Sequence, residues 1–410
     1  MTEALNHIRG FHAELTDIRR DIHTNPELGM EEYRTAELVA GKLEEWGIEV
    51  HRGVGGTGVV GVLRNGNGQQ AIGLRADMDA LPMQEANDVA HRSQYTGKMH
   101  ACGHDGHTTM LLGAARYLAE TRNFNGTVNF IFQPGEEGMG GALAMLKDGL
   151  FERFPCNTLY GMHNRPGAKV GHFSISPGMA MAGGAFFDIL VTGKGAHGAR
   201  PDVGIDPVLA ACHIATALQS IISRNVPPPD MAVLSITKIT GGDAYNVIPQ
   251  SATLGGTVRA MKRETLRLVE EAMQRVVAGI AMGLGAIAEL DFRVIFAPLP
   301  NAAAPVRAIA DTAAELVGEA MVERDKPPAS ASEDFSFMLE QVPGAYINIG
   351  NGEASASVHH QRYDFNDEAT PFGSALFARL VEREMPKGER PGVISHRVPD
   401  ISAGNRENAL

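Results

Sequence analysis

The sequence predicts an α/β fold in two parts: a sheet covered by helices on both faces, and an inserted ferredoxin-like βαββαβ unit. Three observations carry this. Apolar strand-like runs alternate with helical patterns as far as Gly183, which is the signature of helices packed on a sheet. From Gly183 the order changes to strand, helix, strand, strand, helix, strand, the split βαβ arrangement. The stretch Phe296-Ala297-Pro298-Leu299-Pro300 then returns the chain to helix and strand. At 410 residues, two domains are expected. We place the main one at 1–183 and 297–410, and the insert at 184–296.

Each element has a local reason. Ile18 and Ile22, then Ala36, Val39 and Leu43, put apolar faces on two helices between Leu15 and Trp46, separated by the loop Asn25–Gly29. Gly58–Leu63 and Ala71–Ala76 read as strands, and Asn65-Gly66-Asn67-Gly68 between them as a hairpin turn. Thr108–Ala119 reads as a helix, Val128–Phe132 as a strand, Gly141–Leu150 as a helix and Thr158–Met162 as a strand. In the insert, strands are expected at Phe186–Val191, Ala232–Ile239, Ala252–Val258 and Ala288–Val294. Its helices are expected at Pro207–Ile222 and Glu264–Met282. A helix at Ala304–Leu316 and a strand at Ala345–Ile349 close the fold. The polar tail from Pro386 is expected to be loosely ordered or packed on the surface.

Composition narrows the function. The net charge of −12 argues against a nucleic-acid partner. No apolar run approaches the ~20 residues that span a bilayer, and Met1–Asn6 lacks the basic and apolar regions of a signal peptide. A cytoplasmic protein without membrane association is the expectation. Cys102, Cys156 and Cys212 are too few and too odd in number for a disulfide framework. Cys156 and Cys212 have apolar neighbours and read as buried, inert thiols.

Chemistry concentrates in a few segments. Gln133-Pro134-Gly135-Glu136-Glu137-Gly138 places adjacent carboxylates in a sharp turn after a strand. Such a pair repels itself and needs a positive partner. Cys102-Gly103-His104-Asp105-Gly106-His107 adds a thiol and imidazoles, with a helix start at Asp105 that favours the thiolate. His163 ends a strand, and His359-His360 follow Val358. Thiolate, imidazoles and a carboxylate form a metal-binding set, and a spare glutamate beside it suits metal-assisted hydrolysis. One glutamate would bind metal and the other would move protons. Asp77-Met78-Asp79 reads equally as carboxylates of the kind that orient a ligating imidazole and as a strand-ending turn with Leu81-Pro82. Asp77, the Glu136-Glu137 turn and His163 all follow strands, so they converge where α/β sheets place their sites. His23 and His107 read as structural. In the insert, a histidine among glycines, His197, can be an oxyanion donor and Arg259 a carboxylate clamp, but by themselves these residues read as a hairpin loop and a surface salt bridge.

Together these segments resemble the amidohydrolase branch of the M20 metallopeptidases, which includes hippurate hydrolases, N-acyl-amino-acid deacylases and auxin-conjugate hydrolases. The resemblance runs through Arg19–Leu28, Arg75–Pro82, Met99–His107, Gln133–Gly138, Gly161–Asn164, Ser332–Phe335 and Tyr363–Asp367. It implies a mixed-sheet, metallopeptidase-like catalytic domain with a lid and dimerisation domain inserted. It implies two divalent metal ions (Zn, Mn, Co or Ni) on Cys102, His104, Glu137, His163 and His359. It makes Glu136 the general acid/base, with Asp79 its supporting carboxylate. His359 is preferred over His360 because the family's last ligand follows an apolar residue. His197 and Asn246 would contact substrate from the lid, the histidine often in a neighbouring subunit, and Arg259 would face the substrate carboxylate. A homodimer or higher homo-oligomer is implied. The sequence departs from the family at Gln361, where proline is common, and at Ala331, where glycine is common. The expected activity is hydrolysis of small N-acyl amino acids. A dipeptidase or carboxypeptidase with the same site, and a non-catalytic metal or ligand-binding protein, are the alternatives.

Overall fold

The computed structural model of the protein describes residues 2–388. Three helices open the chain: α1 (Glu3–Arg9), α2 (His12–Thr24) and α3 (Tyr33–Glu45). The second and third bury the expected faces, Ile18 and Ile22, then Ala36, Val39 and Leu43. Helix α1, at 7 residues, is too short to announce itself by periodicity. Then come β1 (Glu49–Val54), β2 (Gly58–Asn65), β3 (Ala71–Asp77), α4 (His104–Thr121), β4 (Gly126–Gln133), α5 (Gly141–Lys147), α6 (Leu150–Arg153) and β5 (Thr158–Arg165). The short β6 (Phe173–Ser174) and β7 (Gly178–Met181) lead into the insert. It contains β8 (Gly183–Thr192), β9 (Ala196–His197), α7 (Pro207–Arg224), β10 (Ala232–Gly241), β11 (Val247–Ile248), β12 (Ser251–Ala260), α8 (Arg263–Gly283) and β13 (Ile287–Phe296). The chain returns through β14 (Leu299–Asn301), α9 (Ala303–Val317), β15 (Val322–Glu323), α10 (Phe335–Leu339), β16 (Gly344–Gly350) and α11 (Thr370–Glu384). The expectation for the tail falls outside the described residues beyond Gly388.

The main sheet runs β1-β2-β4-β3-β5-β16-β6-β15. Its centre, from β4 through β3 and β5 to β16, is parallel. Antiparallel pairings flank it at β1–β2, β2–β4 and β16–β6, so the sheet is mixed. β4 is almost wholly buried, which is why Val128–Phe132 is apolar but for Asn129.

One expectation fails here. Asn65–Gly68 is not a hairpin turn between β2 and β3, because β4 lies between those strands and pairs with both. The turn instead wraps the start of β4: Asn125 Oδ1 accepts the backbone N–H groups of Asn67 and Gly68 at 2.9 and 2.8 Å. Strand β1, which carries little apolar signal, is the true hairpin partner of β2.

The insert forms its own sheet, β10-β12-β8-β13, entirely antiparallel. Helices α7 and α8 cover one face, enclosing a separate core that includes Phe187, Ile189, Ile214, Leu218, Val269 and Met273. The order of its long elements is the βαββαβ read from the sequence. Two cysteines differ from expectation: Cys212 is exposed on α7, and Cys156 is only partly buried. Cys212 occupies a solvent-facing position of α7 although its sequence neighbours are apolar.

Candidate functional site

The parallel strands end on one sheet edge. Asp77 at the end of β3 pairs with Gln133 at the end of β4, and His163 in β5 pairs with Asn348 in β16. The sequence right after each strand therefore meets the others at this edge. Helix α4 starts there too. Gly103, just before it, has φ +94, and a Cβ on it would fall 2.4 Å from both Asn164 Nδ2 and the Tyr363 hydroxyl. Only glycine fits, and its turn sends Cys102 and His104 into the same space.

Around Cys102 two sets of donors assemble. Cys102, His104 and His163 present ligand atoms within 4.8 Å of one another, and so do Cys102, Glu137 and His359. The Cys102 sulfur lies 3.3 Å from His163 Nε2. His163 donates its Nδ1–H to the Asn164 carbonyl at 2.7 Å, which leaves Nε2 free as a ligand atom. His104 Nδ1 lies 3.1 Å from Asp79 Oδ1, and its Nε2 is buried without a hydrogen-bond partner among the described residues. Glu137 Oε1 pairs with His359 Nε2 at 3.0 Å. His359 has φ +61, in the left-handed region, and follows Val358 and precedes His360. The latter accepts the Arg362 N–H at 3.1 Å and stays outside the cluster.

These donors would suit two divalent cations, with Cys102 belonging to both sets. Buried polar atoms do not normally lack partners, and His104, whose buried Nε2 makes no hydrogen bond among the described residues, belongs to a donor set on Cys102. Burial pushes the Cys102 thiol up, with His104 opposing it only in part. The expected help from the helix terminus is thus outweighed, and the buried thiolate needs a cation, which deprotonates a coordinating thiol outright. Burial and the neighbouring His107 hold His163 neutral, down at about 3. Contacts with Cys102 and then Glu137 raise His359 to about 10.

Glu136 belongs to neither Cys102-centred set. It groups with Glu333 and Asp334, and with His104 and Glu137. Burial raises its pKa well above the usual carboxylate value, and Glu333, Glu137 and Asp334 add to this. The turn that carries it is fastened on both sides. Glu32 accepts the Gly135 N–H at 2.8 Å and the Thr57 hydroxyl at 2.5 Å. Asp334 accepts from Gln133 Nε2 at 2.7 Å and from the Ala142 N–H at 3.0 Å. Asp79 Oδ2 accepts the Glu137 N–H at 3.0 Å.

The positive partner of this acidic region is Arg75, whose guanidinium is buried. It donates to Asp77 Oδ2 at 2.8 Å, Glu333 Oε1 at 2.9 Å and Gln133 Oε1 at 2.8 Å. Tyr346 donates its hydroxyl to Glu333 Oε2 at 2.5 Å. Sequence reasoning gave no role to Arg75, Glu333, Asp334, Tyr346 or Glu32. The adjacent acids in Ser332-Glu333-Asp334-Phe335 were the available signal. Asp77 and Asp79 divide the work: Asp79 backs His104, while Asp77 accepts from His107 Nδ1 at 2.6 Å. His107 Nε2 in turn accepts the Asn164 N–H at 3.0 Å, a structural position. His23 is also structural, buried between Asp105 and Glu85.

A cavity of about 760 Å³ opens onto the cluster. Cys102, Glu136, Glu137 and His359 line one end, and Phe186 and Arg259 enter from the insert. The Arg259 guanidinium donates to the Thr257 hydroxyl and to the Val258 carbonyl, and lies 5.9 Å from the Phe186 ring centre. It has no carboxylate partner among the described residues, and burial lowers its pKa. His197 and Asn246 are not brought to this cavity within one chain. His197 is exposed, paired with Val247, and accepts the Ala199 N–H at 3.0 Å. The Asn246 carbonyl accepts the Gly198 N–H at 2.7 Å.

Comparison with known proteins adds a second line. Residues 73–383 match the model described as peptidase family M20/M25/M40. The hippurate hydrolase of Campylobacter jejuni subsp. jejuni serotype O:2 is 45% identical over 367 residues, covering 90% of this chain and 95% of its own. The N-acetylcysteine deacetylase of Bacillus subtilis is 37% identical over 374 residues, covering 91% and 97%. Among solved structures, a Bacillus subtilis protein described as a dinuclear metal binding peptidase from the M20 family superposes with TM-score 0.80 at 34% identity. That match covers 92% of this chain and 99% of the other. Among the described residues no helix is long and apolar enough to cross a membrane.

Proposed function

The chain belongs to peptidase family M20/M25/M40, and we propose that it hydrolyses the amide bond of N-acyl amino acids to a carboxylic acid and a free amino acid. The observation that carries this is the double donor set on Cys102 with Glu136 outside it. Cys102, His104 and His163 would hold one divalent cation, and Cys102, Glu137 and His359 the other. Such ions, when bound, polarise the scissile carbonyl and acidify water. The mixed S, N and O donors suit zinc, with manganese, cobalt and nickel as the other candidates.

The chain's own groups do the rest. Glu136 takes the proton of the attacking water and delivers it to the departing nitrogen. Asp79 fixes the His104 ring and, through the Glu137 N–H, the neighbouring turn. Arg259, half-buried and without a carboxylate partner among the described residues, receives the substrate carboxylate. His197 stabilises the oxyanion and Asn246 contacts substrate, both from a second subunit, since neither lines the cavity of its own chain. A homodimer joined through the insert, with the insert acting as lid, follows from that assignment. Unpaired, sparse cysteines suit a cytoplasmic protein.

The test is a panel of hippurate, N-acetyl amino acids and dipeptides, assayed with each metal and after chelation. N-acyl amino acids should be cleaved fastest, and chelation should stop cleavage until metal is restored. Faster dipeptide turnover would replace this reading with a dipeptidase.

A further inference from the structure

Among the described residues, two cations line the cavity without a carboxylate of their own. Arg259 is one. The other is Lys326, in the segment that follows β15. Its backbone N–H is fixed to the Ile175 carbonyl at 3.0 Å, which anchors the stem at the cavity wall. Its ammonium makes no side-chain hydrogen bond and no ion pair among the described residues. The nearby acid, Glu323, is already committed to Arg165 at 2.7 Å. Burial and then Arg165 lower the Lys326 pKa, with Glu323 opposing them weakly. Of the other acids that line the cavity, Glu333 is committed to Arg75 and Tyr346 and Glu137 to His359, while Glu136 makes no ion pair with Lys326 or any other cation among the described residues. A partly buried cation without a counterion is destabilised by lost hydration, and an anionic ligand removes that cost.

The α-carboxylate of an N-acyl amino acid accounts for one cation only. Arg259 reaches the cavity from β12 of the insert, whereas Lys326 reaches it from the main domain, beside Arg165 and Ala329. We propose that Lys326 is a specificity-determining residue that receives a second carboxylate of the substrate, so that dicarboxylate N-acyl amino acids are preferred. This inference rests on the proposed amidase reading and deepens it. The second carboxylate can sit on the amino-acid side chain or on the acyl group, and the test separates these.

Metal-loaded protein is assayed on N-acetyl-glutamate against N-acetyl-glutamine, and on N-succinyl-alanine against N-butyryl-alanine. Both kcat/KM and calorimetric Kd are measured. The charged member of at least one pair should be favoured about tenfold, the worth of a charged hydrogen bond. Lys326→Met should bring that ratio to about one, and Lys326→Arg should restore it. Equal treatment of both members in both pairs would overturn the proposal, as would a Lys326→Met loss shared equally by charged and neutral substrates. If nothing is turned over, the amidase reading fails, and the Kd ratios still decide the role of Lys326.

Discussion

Asp79 touches both halves of the candidate centre: one carboxylate oxygen lies 3.1 Å from His104 Nδ1 and the other accepts the Glu137 N–H at 3.0 Å. A single side chain thus orients an imidazole and the acidic turn. Asp79→Asn keeps the volume but replaces one acceptor by a donor. The expected result is a protein that folds normally yet binds metal about 10–100-fold more weakly. Metal titration with a competing chelator reads this, and unchanged affinity would remove Asp79 from the positioning role.

Glu32 holds the same turn from the opposite side, through the Gly135 N–H and the Thr57 hydroxyl. Glu32→Ala leaves a buried N–H without an acceptor, which costs about 1–3 kcal/mol. Urea unfolding should show that loss. Turnover should fall further than stability alone explains, because Glu136 sits one residue beyond the lost anchor. Glu32→Gln, which retains one carbonyl acceptor, should recover part of both.

A buried imidazole sets a pH limit on stability. Burial alone would lower the His23 pKa, but hydrogen bonds to Asp105 and Glu85 overcome it and raise the value from 6.5 to about 9. A raised pKa means the protonated form is favoured by folding. Its contribution is complete below about pH 6.5 and disappears as pH climbs through about 9, a change on the order of 3 kcal/mol. Denaturation midpoints followed between pH 6.5 and 9.5 should decline in the wild type. His23→Gln should be less stable at the acid end and flatter across this window, and a parallel decline in both proteins would refute the assignment.

The legible parts of the fold were local. The strand-like runs Phe186–Val191 and Ala252–Val258 and the long apolar face of Glu264–Met282 mark the βαββαβ insert without reference to anything distant. Strand order was not legible, since β4 enters between β2 and β3 through pairings that neither strand encodes alone. The same division holds at the site. Cys102, His104 and the Glu136-Glu137 turn are marked by unusual chemistry among glycines. Arg75 reads as one more charge at a strand end, and its partner Glu333 lies 258 positions away. Glu32 looks like any solvated acid at a helix start, yet it is fully buried. Sequence spacing cannot show a partnership that only the folded sheet edge creates.

The central claim is that Glu136 moves protons and does not hold metal. The direct measurement is metal content and kcat of Glu136→Gln side by side with the wild type, on the best N-acyl amino acid. Glu136→Gln should retain two ions per chain while kcat falls on the order of 10²–10⁴-fold. Loss of an ion, or turnover close to that of the wild type, would contradict it.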